Sequence, residues 1–391
     1  MKLVVVGFGQ CGGKIANEFS RLNSRARSRR RIEIISGAFA VNTDVADLSN
    51  LSSIKSDYRH RILIGNRKTS SHGVGKVNEL GAEIAKQDGD KVIDAIRSAD
   101  RFFEADAFLL IAGAAGGTGS GSIPVIAQII KDRYQDKPVY ALVVLPFEHE
   151  EKTEARTIHN SATCLKGVYS VADAVFLVDN QRYVKKDASL LNNMAAINQM
   201  IAEPFFDLLC AGEEKKVKRI GARLLDAGDI GQTLTGWTVL GYGRSELPAI
   251  RLPFMRTRNF RKKSTETHKG LQAMDQALSD LSLRCNPEDA GSALYLLSAP
   301  TAEMNMDLVK ELGDCLRSAA PEAVIRYGDY PRGENSLKIT VILSQLKSVE
   351  KVRQYYDELP DLIQEKERRQ EDTEAKLKQL VDASTAVPSL L

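Results

Sequence analysis

Gly113-Ala114-Ala115-Gly116-Gly117-Thr118-Gly119-Ser120-Gly121-Ser122 follows the apolar run Phe108-Leu109-Leu110-Ile111-Ala112 and precedes Ile123-Pro124-Val125-Ile126-Ala127-Gln128-Ile129-Ile130. The run before it reads as a buried strand. The segment after it reads as the start of a helix, with a proline near the first turn. A glycine-rich loop between a strand and a helix is a phosphate-binding layout. Glycines let main-chain N–H groups approach the oxygens, and the helix N-terminus adds partial positive charge. Thr118 and Ser120 bring hydroxyl donors. A flexible linker is the plain alternative, but linkers rarely join a buried strand to a helix.

The chain around this loop is long enough, at 391 residues, for two or three domains. With 54 basic against 51 acidic residues, no global field recruits nucleic acid or an anionic membrane. Cys11, Cys164, Cys210, Cys285 and Cys315 are scattered without metal-type pairing, so no protein-ligated metal is expected. Their odd number, with no signal-peptide pattern, implies a reducing cytoplasm. No apolar run approaches the roughly 20 residues of a membrane span. Membrane contact is expected only through a partner.

Upstream, Lys2-Leu3-Val4-Val5-Val6 reads as a buried strand running into Gly7-Phe8-Gly9-Gln10-Cys11-Gly12-Gly13, with a helix from about Lys14. This second strand–glycine–helix unit matches Gly-x-Gly-x-x-Gly, weak evidence for a dinucleotide site when alone. Arg21 to Arg31 is arginine-rich without apolar periodicity and reads as a solvated helix end and loop. The short strand Ala38-Phe39-Ala40-Val41 ends in Asn42-Thr43-Asp44, and polar residues past a strand's carboxyl end lie where open α/β sheets bind ligands. Strand Arg61-Ile62-Leu63-Ile64 opens a long loop to Gly81 that holds His72-Gly73-Val74-Gly75-Lys76. Lys76 faces a phosphate or is simply solvated; His72 reads as an exposed loop residue.

Downstream, a strand over 139–145 ends in Pro146-Phe147-Glu148-His149-Glu150, and one over 174–178 ends in Asp179-Asn180. Strands alternating with helices predict one parallel, doubly wound sheet over about 1–182. Residues 188–211 read as a helix apolar on several faces, buried between domains. Pro204 should kink it or open a second segment. Asp226 and Asp229 are spaced to share one helical face, and glycine-rich and basic stretches follow (231–243, 251–263). Strands near 293–297 and 337–343, flanking a helix near 305–318, predict a smaller α+β domain. The charged tail from about 347 reads as an exposed helix, and 383–391 as a disordered end.

Two nucleotide readings compete. A Rossmann-type NAD(P)-dependent oxidoreductase uses Gly7, Gly9 and Gly12 for the pyrophosphate and Asp44 for the ribose. It lacks an acid–base constellation for hydride transfer and leaves the 113–121 loop idle. The other reading gathers several loops around one nucleotide. Here the residues carry a resemblance. Gly116-Gly117-Thr118-Gly119-Ser120-Gly121 is similar to the tubulin/FtsZ signature loop, Gly9-Gln10-Cys11-Gly12 to the first phosphate loop of tubulin, and Asn42-Thr43-Asp44 to the second loop of FtsZ. The likeness spans about 2–345. Gly7-Phe8-Gly9-Gln10 with Gly12-Gly13-Lys14 most resembles the archaeal, tubulin-like CetZ group.

The resemblance implies an α/β fold: a doubly wound parallel-sheet GTPase domain (1–187), a long central helix (188–212), a smaller α+β domain (213–346) and a charged tail (347–391). It implies GTP/GDP as ligand, with Mg²⁺ held mainly through the phosphates and Gln10 near the metal. Gly9, Gln10, Cys11, Gly12, Gly13 and Lys14 would lie along the phosphates, and Gly116, Gly117, Thr118, Gly119 and Ser120 would hold the β- and γ-phosphates. Asn42, Asp44, Gly73 and Gly75 would complete the wall around phosphates and metal. Glu150 would contact the ribose, and Asn180 and Asn198 the base. Asp226 and Asp229 match the acidic loop through which one subunit completes the next subunit's site, orienting or activating the attacking water. Their plain alternative is a surface turn and cap.

The pattern is departed from in places. Ala115 replaces a glycine, which is mild if its φ is negative. Leu224 replaces an asparagine. Glu154 stands where an arginine is expected, with Arg156 as substitute. The expected protein is a cytoplasmic GTPase that polymerises head to tail and controls cell shape, reaching the cell periphery through unidentified adaptors. An FtsZ-like division-ring role is the runner-up.

Overall fold

The computed structural model describes residues 1–184, 190–214, 220–247 and 260–384. The sequence readings at 188–189, at 251–259 and for the disordered end at 385–391 lie outside the described residues.

The first half alternates as expected: β1 (Leu3–Phe8), α1 (Gly9–Arg30), β2 (Ile35–Asn42), α2 (Val45–Ser49), β3 (Arg61–Leu63), α3 (Asn66–Thr69), α4 (Asn78–Gln87), α5 (Gly89–Arg97), β4 (Ala107–Gly113), α6 (Thr118–Arg133), β5 (Val139–Leu145), α7 (Glu148–Thr153), α8 (Ala155–Tyr169) and β6 (Ala174–Asp179). The second half holds α9 (Leu190–Ala211), α10 (Ala227–Thr233), β7 (Gly236–Glu246), α11 (Phe260–Ser279), β8 (Ala290–Ala299), α12 (Met306–Ala319), β9 (Val324–Pro331), β10 (Ser336–Leu346) and α13 (Glu350–Ser384).

The strands among the described residues form one sheet in the order β3-β2-β1-β4-β5-β6-β7-β10-β8-β9. From β3 to β7 every pairing is parallel. Strands β1, β4, β5 and β6 are almost fully buried because helices cover both faces. The chain winds outward from β1 through β2 to β3, then restarts on the other side of β1 with β4. The reversal puts a crevice at the carboxyl ends of β1 and β4, where doubly wound sheets bind ligands. Strand β7 joins the halves: its first residues pair parallel with β6, and its length pairs antiparallel with β10.

Four elements differ from the sequence reading. Helix α1 begins at Gly9 rather than about Lys14, so the first glycine run is its opening turn. Helix α6 begins at Thr118, so the glycine–serine run is itself its first turn and Pro124 lies inside the helix. Helix α9 runs through Pro204 without a break. A proline inside a helix costs about 3 kcal/mol, whereas burying Phe205, Phe206, Leu208 and Leu209 contributes about 1.5–3 kcal/mol each, so packing outweighs the lost backbone bond. The glycine-rich 231–243 segment is mostly strand β7. A Cβ at Gly243 would lie 1.8 Å from the Ala273 carbonyl oxygen, so the glycine lets α11 sit directly on the strand.

Among the described residues, no helix is long and apolar enough to cross a membrane.

Candidate nucleotide-binding site

Helices α1 and α6 begin where β1 and β4 end, on either side of the crevice. Neither N-terminus has a side-chain cap, and neither first turn holds an acidic residue. Two sets of main-chain N–H groups are thus left for an anion. The two turns touch: Gly9 adopts φ +66°, and a Cβ there would lie 3.0 Å from the Gly119 nitrogen. At Gly12 a Cβ would collide with the Ile111 carbonyl at 2.0 Å, so Gly12 fixes how closely α1 packs on β4. The space in front of Gly116 is open. Ser120 Oγ donates back to the Gly116 carbonyl, holding the loop's shape. Ala115 is not among the left-handed residues, so the missing glycine brings no backbone strain.

The turn after β2 closes one side. Thr43 Oγ1 lies 2.6 Å from Thr118 Oγ1. Asn42 Oδ1 accepts from the Thr43 and Asp44 amides at 2.8 and 3.3 Å. Asp44 caps α2, accepting from the Ala46 and Asp47 amides. Asp47, which sequence reasoning passed over, is the hub here. Its carboxylate accepts from Gln10 Nε2 at 2.9 Å and Asn42 Nδ2 at 3.0 Å. It couples the first and second loops and supplies the negative charge beside Gln10.

Loop 70–77 forms the outer wall. Gly73 (φ +84°), Gly75 (φ +56°) and Lys76 (φ +60°) are left-handed, and the Gly73 amide donates to the Thr43 carbonyl at 3.2 Å. Lys76 Nζ pairs with Glu154 at 2.6 Å, both side chains partly exposed, so the lysine is held in a surface ion pair. Arg156 donates to Glu79 and, at 2.9 Å, to the Lys76 carbonyl. Its guanidinium is therefore committed to this wall. His72 is exposed, bridged to Asp44.

On the other side, Glu150 Oε2 accepts from the Phe147 amide at 2.9 Å and caps α7. Asn180 follows β6 directly, and Asn198 lies in the first half of α9; both are buried. The Cys11 thiol, packed against Gly113, is pushed up to about 12 by burial, while Lys14 pulls it down and Glu150 up. It stays a protonated thiol at neutral pH.

Asn180, Glu150, Gly116–Ser120, Gly9–Lys14 and Asn42–Asp44 therefore follow the carboxyl ends of β6, β5, β4, β1 and β2, five neighbours in the sheet. At about 4.8 Å per strand this row spans roughly 19 Å, the scale of an extended nucleoside triphosphate.

Asp226 and Asp229 are not in the row. Helix α9 carries the chain back to the opposite edge. Gly236, just after α10, pairs with Ala174, the first residue of β6, and Gly231 lies beside Met1. Asp226 is not on a shared helical face with Asp229: it is the N-cap of α10, and its Oδ1 accepts from the Asp229 amide at 2.8 Å. Asp229 faces Arg326 at 3.7 Å.

Strand order, paired uncapped helix starts and flanking loops together form the layout by which a doubly wound α/β sheet takes a phosphate-bearing ligand. The model for the tubulin/FtsZ family GTPase domain matches residues 2–186, and the model for the tubulin-like CetZ C-terminal domain matches 187–359. The tubulin-like protein CetZ1 of Haloferax volcanii is 32% identical over 90% of each chain. Its structure as a GDP-bound monomer superposes with a TM-score of 0.76 at 31% identity, covering 91% of this chain and 97% of that one. A GTPγS-bound protofilament of CetZ2 from the same organism gives 0.79 at 29% identity, covering 94% and 100%. The chain belongs to the tubulin/FtsZ superfamily, in its CetZ group. These likenesses do not favour the dehydrogenase reading.

Proposed function

We propose that this protein binds GTP along the carboxyl edge of its sheet, assembles head to tail and hydrolyses GTP at sites shared between neighbouring subunits. One observation carries the reading. The phosphate loops lie at the carboxyl ends of the strands, and Asp226 and Asp229 lie at the amino ends. A six-residue strand such as β6 separates the two edges by about 20 Å, so the carboxylates cannot reach a phosphate bound in their own chain. Stacked edge on edge, they reach the next subunit's.

In this arrangement the N–H groups at the starts of α1 and α6 hold the phosphates, with Thr118 and Ser120 shaping the second loop. Glu150 takes the ribose, and Asn180 and Asn198 the base. Gln10, Asn42 and Asp47 fit the surroundings of a phosphate-bound Mg²⁺, which when bound neutralises phosphate charge. Asp226 and Asp229 orient the attacking water. Positioning and charge stabilisation are what phosphoryl transfer asks of a protein. The bound states and the protofilament of the CetZ structures support guanine nucleotide and self-assembly. The C-terminal match favours the CetZ role in cell shape over a division ring, with adaptors linking the filament to the cell periphery.

Phosphate release from GTP and Mg²⁺ across a range of protein concentrations tests this. Specific activity should rise steeply with concentration. Activity strictly proportional to concentration contradicts a shared site.

A further inference from the structure

We propose that Asn160 is a positioning residue: it sets the width of the slot for the terminal phosphate by tying loop 73–76 to loop 113–117. The inference rests on the nucleotide placement above and adds what holds its two walls in register.

Asn160 is fully buried on α8, remote in sequence from both loops. Its Nδ2 donates to the Lys76 carbonyl and the Ala115 carbonyl, each at 2.9 Å. Both amide hydrogens are thus used, one on each wall. Its Oδ1 is buried with no hydrogen-bond partner among the described residues. Turned over, the amide would set its oxygen against two carbonyl oxygens, so the orientation is fixed by the two acceptors. An apolar side chain would fill this place without stranding a buried oxygen, but it could not join the loops. Packing alone does not account for an asparagine here.

The joined segment is a strained one. Lys76 is a non-glycine residue at φ +60°, a conformation that persists only where the surroundings over-determine it. The surroundings are side chains at the start of α8: Asn160 and Arg156 both donate to the Lys76 carbonyl, and the Glu154 carboxylate, at the helix N-cap, accepts from the Lys76 ammonium. The walls also touch directly, since a Cβ on Gly117 would lie 2.9 Å from Lys76 Cα. Loosening the brace should therefore move the outer wall, which a nucleoside diphosphate does not fill, more than the inner loop that holds both nucleotides.

The test measures binding of GTPγS and GDP separately, below the concentration at which assembly starts, for the unaltered protein, Asn160→Ala and Asn160→Asp. Hydrogen exchange of the 73–80 segment is followed in the nucleotide-free proteins. Losing two hydrogen bonds should weaken GTPγS about tenfold while GDP changes less than about threefold, and the 73–77 amides should exchange faster. The carboxyl group that Asn160→Asp introduces faces two carbonyl oxygens when ionised, whereas in its protonated form it can donate to one of them. The Asn160→Asp defect should therefore shrink as pH falls, and the Asn160→Ala defect should not. Equal weakening of both nucleotides, or unchanged exchange at 73–77, overturns the proposal. If the unaltered protein binds neither nucleotide, the guanine-nucleotide reading fails by itself, and the exchange result alone decides whether the brace exists.

Discussion

At the scale of single residues, Asp226 has two separable jobs. It caps α10 through the Asp229 amide, and in the proposed assembly it offers a charge to the neighbouring subunit. Replacing a cap by alanine costs about 1 kcal/mol. Asp226→Ala should therefore lower the melting temperature by a few degrees and also slow turnover. Asp226→Asn keeps an oxygen for the cap, so it should melt near the unaltered protein and still lose roughly tenfold or more in GTP turnover, with GTP binding retained. Thermal melts and single-turnover assays on the pair separate the jobs; full turnover in Asp226→Asn would remove the catalytic one. Asp229→Ala should likewise keep GTP binding and slow turnover. Much of the candidate site was legible at this scale, because Gly9 directly follows the apolar strand β1 and Gly116 to Ser120 lie just past β4, and that adjacency is a sequence signal. Asp47 was not legible: it looks like an ordinary residue in a short helix, and only the folded chain brings Gln10 and Asn42 to it. Asn160 was missed for the same reason.

At the scale of elements, α9 shows burial overriding local propensity, and it carries a titration. Burial pushes the Asp207 carboxyl up, against the pull of Arg332 and Arg30. A carboxyl whose folded pKa lies above its unfolded value keeps a proton that the unfolded chain has released. That stability is full below the unfolded pKa of about 3.9 and is lost as pH rises through the folded one. Asp207→Asn should therefore gain stability relative to the unaltered protein as pH is raised from acid towards neutral. Urea unfolding across that range checks it, and identical pH slopes would contradict it. Helix α13 is held at its start, where Val352 and Tyr355 are buried, Tyr355 donates to Glu151, and Lys351 pairs with Glu151 at 2.8 Å. Leu377, Leu380 and Val381 near its end are exposed. Truncation after residue 365 should leave the melting temperature within about 2 °C, the range of surface changes; a larger fall would mean the distal turns support the fold. The parallel strands were legible as apolar runs. Strand β7 was hidden by the glycines that admit α11, and β9 by the incomplete burial of its first half.

At the scale of the whole molecule, the sheet's polarity organises function. Parallel strands give it two chemically different edges, one with the helix starts and loops that suit phosphate, the other with α10 and its carboxylates. In the proposed assembly neither edge is a complete active site by itself. The alternation of strand and helix made the fold class readable from sequence. The separation of the two edges was not readable, because it depends on which way α9 runs and where β7 enters the sheet. The most direct test mixes two inactive variants: Asp226→Asn with Asp229→Ala in one chain, which keeps the phosphate loops, and Gly117→Asp in the other, which keeps the carboxylates but places a charged side chain against Lys76 in the phosphate loop. A shared site predicts that the mixture hydrolyses GTP well above the sum of the two chains alone. No gain on mixing, with both chains folded and the first still binding GTP, would contradict the account.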